Sequence, residues 1–92
     1  MTLNFESEQI VYDPEESLMR FLATEGAAVI PCAISIAALA ELEDNALGGS
    51  DAIVTSYFRH RELIKDIVER KYRARRFETG GSVVVRLQDL AA

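Results

Sequence analysis

Hydrophobic and polar positions alternate with a helical period along Ser50–Arg76. At about 100° per residue, the large apolar side chains other than Leu63 fall within one half of the helical wheel. These are Ile53, Val54, Tyr57, Phe58, Ile64, Ile67, Val68 and Tyr72. The pattern predicts one long amphipathic helix that packs on a core along one side. Ser50 or Asp51 is expected to cap its N-terminus after the pair Gly48-Gly49.

Alternation with a period of two predicts short strands before this helix and one after it. The expected extended segments are Leu3–Phe5, Gln9–Tyr12, Ser17–Thr24, Ala27–Ile34 and Ser82–Leu87. A turn is expected over Asp13–Glu16, because Pro14 presets the backbone for it. Glu25-Gly26 predicts a hairpin, because glycine readily takes positive φ. In the last strand, Val83, Val85 and Leu87 are expected to face the core.

Between the strands and the long helix, Ser35 predicts the cap of a short helix that ends near Asn45. The element order is therefore β-β-β-α-α-β. Glycine-containing turns that end the helices are expected at Leu47–Gly49 and at Thr79–Gly81. The predicted fold class is α+β: a small, mostly antiparallel sheet covered on one face by a short and a long α-helix. Residues 1–92 are expected to form one compact domain.

Composition favours a globular cytoplasmic protein. Of the 92 residues, 49% are hydrophobic and 27% are charged, which excludes a disordered chain. The single cysteine, Cys32, excludes an internal disulfide and fits a reducing compartment. The N-terminus has no signal-peptide pattern. The longest apolar run, Ala27–Ala40, is shorter than the about 20 residues that span a bilayer, so no membrane contact is expected.

The net charge of −5 is divided unevenly along the chain. Residues 1–51 contain ten acids and one base, whereas residues 52–92 contain five acids and nine bases. The two halves can attract each other within one chain or across a homodimer, and leftover apolar surface on so small a domain also favours self-association. A homo-oligomer, most simply a dimer, is therefore expected.

Arg61 is the most informative single residue, because its wheel position lies inside the apolar stripe. A buried guanidinium needs a carboxylate or carbonyl partner. We interpret Arg61 first as a structural ion pair or backbone clamp, and alternatively as a site for an anion or a partner's carboxylate.

The one true charge cluster follows at the C-terminal end of the long helix. It contains Arg70, Lys71, Arg73, Arg75 and Arg76. These bases predict either a binding surface for phosphate or an acidic partner, or a solvated helix end that suits the helix dipole. Against nucleic acid stand the pI of about 4.8 and the absence of interleaved exposed aromatic residues.

No catalytic, metal or cofactor site is predicted. His60 and Cys32 are too few to provide the ligands of a zinc site. The sequence also shows no nucleophile together with a base and a third residue that would orient the base. The leading hypothesis is a non-enzymatic protein-interaction or accessory module with an unknown protein partner. The alternative is an auxiliary nucleic-acid-binding protein that uses Arg70–Arg76. A small-molecule site or enzyme is the third hypothesis, which a cleft lined by Arg61, His60 and Cys32 would favour.

Three segments resemble the small bacterial proteins grouped as domain-of-unknown-function family 1488. The first segment is Met1–Phe5, followed by Tyr12-Asp13 and Met19-Arg20-Phe21. The second is Cys32-Ala33-Ile34-Ser35, which leads into Ala38-Leu39. The third is Phe58-x-x-Arg61-x-x-Ile64, which runs to Tyr72 and is followed by a glycine-bearing turn, a valine strand and Asp89-Leu90. The chain departs from the family pattern at Ile36-Ala37, where a charged pair is frequent, and at Leu90, where a large aromatic is frequent. The resemblance implies a compact α+β domain in the bacterial cytoplasm, without an assigned activity and without a catalytic residue.

Overall fold

The computed structural model describes residues 3–5, 10–44, 48–78 and 80–90. Its strands are β1 (Val11–Asp13), β2 (Leu18–Glu25), β3 (Ala28–Ser35) and β4 (Val83–Val85); its helices are α1 (Ile36–Glu43), α2 (Ser50–Arg59) and α3 (Arg61–Arg73). A short 3-10 helix, Leu87–Leu90, follows β4. The α+β class is confirmed. Positions 9, 45, 47 and 79, which bound several predicted elements, lie outside the described residues.

The four strands form one sheet in the order β1-β2-β3-β4. The pairs β1–β2 and β2–β3 are antiparallel, whereas β4 runs parallel to β3, because all three helices lie between these two strands in sequence. The predicted β2–β3 hairpin is confirmed, but its turn lies one residue later, at Gly26-Ala27. Gly26 has φ 60°, which explains the need for glycine there.

The core lies between the inner face of the sheet and the helices. Met19, Phe21 and Ala23 of β2 point inward, and they belong to one buried cluster with residues from α1, α2 and α3. Val83 and Val85 join this cluster, but the predicted third member, Leu87, is 48% exposed. The strand stops before it because the Asp89 carboxylate accepts the Arg86 backbone N–H at 2.8 Å and starts the 3-10 helix.

The predicted single long helix is wrong, because the segment forms two helices that meet at His60. His60 leaves helical geometry, with φ −104° and ψ 15°. The bend coincides with the point where Glu43, at the end of α1, contacts both Arg59 and His60. Phe58, which the wheel placed in the core stripe, is 52% exposed beside this bend.

The helix ends also differ from the prediction. The N-cap of α2 is Gly49, whose φ of 142° excludes most other residues, so the predicted cap at Ser50 or Asp51 is wrong. The cap of α1 is confirmed: Ser35 Oγ accepts the Ala38 N–H at 3.1 Å. Helix α1 ends at Glu43, and its C-cap residue Asp44 takes the left-handed conformation.

Helix α3 ends at Arg73 rather than at Arg76, in a Schellman motif. The Arg76 N–H donates to the Lys71 carbonyl at 2.9 Å, and the Arg75 N–H donates to the Tyr72 carbonyl at 3.1 Å. Arg75 occupies the left-handed position of this motif, with φ 57°. Glycine is the usual residue there, because a side chain costs about 1–2 kcal/mol in this conformation.

The N-terminal residues Leu3–Phe5 continue the sheet edge beside β2. Asn4 exchanges two backbone hydrogen bonds with Thr24, each 2.8 Å long. The neighbouring side chains of Leu3 and Phe5 are only 4% exposed. Among the described residues, no helix has the length and apolar character that crossing a membrane requires.

The left-handed conformation of Arg75 generates a stability prediction. We expect Arg75→Gly to raise the free energy of unfolding by about 0.5–1 kcal/mol, because the backbone strain is relieved. Urea denaturation followed by circular dichroism measures this. Ala74→Gly is the matched control: Ala74 has φ −82°, so glycine there should destabilise by a similar amount. Equal effects of the two substitutions would show that the strain at Arg75 is negligible.

Candidate functional site

Arg61 binds a backbone carbonyl. Its Nη2 donates to the Phe5 carbonyl oxygen at 2.6 Å, across 56 positions of sequence. Its Nε is buried and has no hydrogen-bond partner within the described part of the chain. This geometry fits the structural interpretation of Arg61, in the form in which its side chain clamps a backbone carbonyl. An anion-binding role for it stays a prediction.

Arg61 is the first of three α3 side chains that hold the N-terminal segment. Lys65 lies over the Phe5 ring with its Nζ 5.6 Å from the ring centre, and a Glu69 Oε1 accepts the Leu3 N–H at 3.3 Å. Positions 61, 65 and 69 are four apart, so they share one face of the helix. We call Arg61, Lys65 and Glu69 with residues 3–5 the N-terminal clasp. Sequence reasoning missed it, because contacts so distant in sequence leave no local signal.

Lys71 is not part of an exposed basic cluster. Its Nζ donates to the Val84 carbonyl at 2.6 Å and to Asp89 Oδ2 at 2.7 Å. The Lys71 and Asp89 side chains are 13% and 12% exposed. The ammonium therefore satisfies a carbonyl of the edge strand β4, and we assign Lys71 a structural role.

The remaining bases of the cluster are accessible. Arg70, Arg75 and Arg76 are exposed, and their side chains make no hydrogen bond or ion pair with any residue that the structure describes. Arg73 is 55% exposed and bonds Glu69 at 3.1 Å. We call Arg70, Arg73, Arg75 and Arg76 the α3 basic surface.

An exposed aromatic residue directly follows the last base of this surface. Phe77 is 43% exposed, and its ring meets the Tyr72 ring edge-on with centroids 5.9 Å apart. Tyr72 and Phe77 line a pocket of about 230 Å³ together with Glu25, Arg73 and Arg75. The sequence signal was available, because Phe77 directly follows the basic cluster.

The polar groups of this pocket are partly engaged. The Tyr72 hydroxyl donates to Glu25 Oε1 at 3.0 Å, and this hydrogen bond, with burial and the carboxylate charge, raises the pKa of Tyr72. Arg73 also lines a neighbouring groove of about 330 Å³ with Asp66, Glu69 and Arg70. The two concavities therefore adjoin at Arg73, on the exposed side of the end of α3.

Two further candidate residues are placed apart from each other. His60 Nε2 lies 2.9 Å from Glu43, whose other contact is Arg59 at 2.6 Å. Burial acts to raise the pKa of Glu43, but the hydrogen bond with His60 and the hydrogen bonds and positive charge of Arg59 outweigh it, and the net pKa is lowered. This cluster ties the end of α1 to the bend between α2 and α3.

Cys32 is 2% exposed, and burial raises the pKa of its thiol to about 12. Such a thiol is a poor nucleophile at neutral pH. The pocket that Cys32 does line contains neither Arg61 nor His60, so these three residues are not brought together there. Within the described chain, no group of three or more His, Cys, Asp or Glu residues has the arrangement of a metal site.

Arg61→Met tests the N-terminal clasp. We expect the free energy of unfolding to fall by about 1.5–3 kcal/mol, because the Phe5 carbonyl loses a hydrogen bond from a charged donor. Thermal and urea unfolding measure this loss. Arg59→Met, at an exposed guanidinium outside the clasp, is the control and should cost about 1 kcal/mol or less. An unchanged melting temperature for Arg61→Met would show that the clasp contributes nothing.

The Lys71–Asp89 pair predicts a pH dependence of stability. Burial acts to raise the pKa of Asp89, but hydrogen bonds from Lys71 and the Arg86 N–H outweigh it, and the net pKa is lowered. The pair therefore stabilises the fold above the unfolded-state pKa of about 3.9. This stability is lost as the pH falls through the lower folded-state pKa.

We expect Asp89→Asn to lower the free energy of unfolding by about 1.5–3 kcal/mol at pH 7 and by progressively less below about pH 4. Urea denaturation at a series of pH values measures the difference. Glu62→Gln, at a carboxylate that is 90% exposed, should change little at any pH. A difference between Asp89→Asn and wild type that stays constant with pH would contradict the assignment.

Comparisons with known proteins identify a family but no activity. A search of curated proteins finds no match. A crystal structure at 1.60 Å of a protein of unknown function from Shewanella loihica PV-4, of the DUF1488 family, is similar in fold, with a TM-score of 0.85 over 91% of each chain and 24% sequence identity. The family model described as "Protein of unknown function (DUF1488)" matches residues 3–85. The chain therefore belongs to the DUF1488 family, as its sequence pattern predicted.

Proposed function

We propose that this protein is a non-enzymatic binding module whose α3 basic surface, with Phe77, binds an acidic segment of a partner protein. One observation carries the proposal: Arg70, Arg75 and Arg76 are exposed and unpaired within the described chain, beside an exposed aromatic ring. The protein as a whole is acidic, with a net charge of −5. Three guanidinium groups without an ion pair among the described residues, all within the seven residues from Arg70 to Arg76, are therefore a local exception.

The other bases support this interpretation, because the fold uses them internally. Arg20 pairs with Asp13, Arg59 with Glu43, Lys71 with Asp89 and Arg86 with Glu78. Of these four pairs, Arg59–Glu43 joins a base of the second half to an acid of the first half, and each of the others joins residues of the same half. A solvated helix end would explain one or two bases like those at the end of α3; three together favour a partner.

The chemistry of the surface suits carboxylates. The planar guanidinium donates two parallel hydrogen bonds to one carboxylate, which gives both energy and orientation. Phe77 adds apolar contact area, and arginine with aromatic residues is the combination that protein interfaces favour. The Glu25 carboxylate in the same pocket can accept backbone N–H groups of a bound segment.

The non-enzymatic assignment is supported by the state of the reactive groups. Cys32 is buried with a raised pKa, and His60 contacts Glu43 at the helix bend, away from the α3 basic surface. Neither group lines the pocket beside Phe77. The residues of that pocket bind and orient charged groups rather than supply a nucleophile.

A second candidate function is single-stranded nucleic-acid binding at the same surface. The exposure of Phe77 beside Arg75 and Arg76 favours it, because bases stack on aromatic rings while arginines contact the phosphates. The net charge of −5 repels any anionic ligand, but it opposes an oligonucleotide more than a short acidic segment, because every nucleotide carries a phosphate charge. We therefore place it second.

Binding can be measured by fluorescence anisotropy with two labelled probes, an aspartate- and glutamate-rich peptide that contains one leucine, and a dT oligonucleotide. We expect the peptide to bind, and the double variant Arg75→Asn, Arg76→Gln to weaken it about tenfold or more, because two charge-assisted contacts are removed. Asparagine is chosen at position 75 because it tolerates the left-handed conformation.

The matched control is Ala52→Glu, Thr55→Glu, at two exposed positions of α2, which lowers the net charge by the same two units. Equal weakening by both double variants would show that only net charge matters and would contradict the proposed surface. If the oligonucleotide binds with an affinity that falls steeply with salt, and the peptide does not bind, the result would favour single-stranded nucleic-acid binding as the function. Failure of both probes to bind would count against both.

A further inference from the structure

The outer face of the sheet, away from the helices, is unusually apolar. Its residues alternate with those of the core, and the cross-strand register places Val11 beside Arg20 and Leu22 beside Pro31. Val29 is 61% exposed and Val11 is 58% exposed, which makes them the two most exposed large apolar side chains in the described chain. An antiparallel sheet that faces water normally presents polar residues at such positions.

These side chains surround a shallow groove rather than a flat surface. A concavity of about 290 Å³ is lined by Val11, Arg20, Leu22 and Pro31, with parts of Phe21 and Cys32 at its floor. Leu18, Ala33 and Val84 form a small buried cluster of their own beside it. An apolar patch with a groove on a soluble domain indicates an interaction surface.

The charges on this face select the occupant. Arg20 and Asp13 lie on it as a pair, with Nη2 and Oδ2 3.1 Å apart, so that their charges offset each other. An acidic or a basic partner gains nothing from a neutral face. A second copy of the same face is complementary to it, because a two-fold axis brings Arg20 of one protomer towards Asp13 of its partner while valines meet valines.

We propose that the outer face of the sheet is the interface of a homodimer, in which two sheets pack face to face across a two-fold axis. Packed sheets lie about 10 Å apart and interdigitate their side chains, and the groove between Val11 and Pro31 accepts the partner's Val29 side chain. This interface is independent of the α3 basic surface, because α3 packs on the opposite, inner face of the sheet.

The expected dimer is weak. Strands β2 and β3 have eight residues each, so the face is about 26 Å long at about 3.3 Å per residue. Two strands of eight residues and two of three residues, at about 4.8 Å spacing, give a face of roughly 350 Å² per protomer. The total of roughly 700 Å² is below that of standard specific interfaces and typical of weak contacts, so dissociation in the micromolar range is expected.

Molar mass tests the proposal. We expect sedimentation velocity and light scattering to give twice 10.2 kDa at a few hundred micromolar and a lower mass at a few micromolar. Raising the salt concentration should leave the dimer largely intact, because apolar contact dominates it. Val29→Lys should make the protein monomeric over this whole range while its circular dichroism and melting temperature stay close to wild type.

Val11→Lys is a second variant on the same face and should act in the same way, so the test survives if one variant folds poorly. Leu63→Lys is the matched control, because Leu63 is 44% exposed on α3, away from the sheet. It should leave the dimer unchanged. A monomer at every concentration, a dimer that Val29→Lys and Val11→Lys both leave intact, or a dimer that salt dissociates would each overturn the proposal.

Discussion

The hydrogen bond from Arg61 to the Phe5 carbonyl closes the fold, because it joins α3 to the N-terminal edge of the sheet. A guanidinium inside an apolar stripe is costly unless polar groups satisfy it. Here Leu3–Phe5 covers the stripe, buries Phe5 against Phe21 with ring centroids 6.3 Å apart, and presents its backbone oxygen to Arg61. The segment and the arginine therefore require each other. Without the segment the charge would face an apolar core, and without the arginine a buried carbonyl would lose its donor.

The same principle divides the basic run at the end of α3 into two functional groups. Lys71 lies on the turn of the helix that faces β4, so it is drawn into a carbonyl and the Asp89 carboxylate. The Schellman motif at Arg75 then turns the chain, so that Arg75 and Arg76 follow the helix rather than continue its inner face. Helix geometry thus decides which bases stabilise the fold and which remain accessible. A left-handed arginine where glycine is usual is consistent with a side chain retained for contact.

Features with local causes could be predicted from the sequence. The alternating strand pattern of β2, the Gly26 hairpin and the Ser35 cap each depend on a few neighbouring residues, and the structure has them all. Features that depend on distant partners could not. The bend at His60 involves Glu43, 17 positions earlier, and the loss of Lys71 from the basic cluster involves Asp89, 18 positions later. The exposure of Phe77 likewise depends on where the chain turns after α3. A helical wheel that continues to Arg76 puts the end of the helix three residues too late.

The two proposed surfaces reinforce each other through geometry. The outer sheet face and the α3 basic surface lie on opposite sides of the sheet, so joining two sheets leaves both basic surfaces accessible. A dimer would then present two copies of Arg70, Arg75 and Arg76, and a partner with two acidic segments would bind the second intramolecularly. Such linkage multiplies the affinity of a weak site without a new contact. A small module with one modest anion-binding site thereby gains useful affinity from a dimer that is itself weak, because occupancy of both sites by one partner also favours the dimer by mass action.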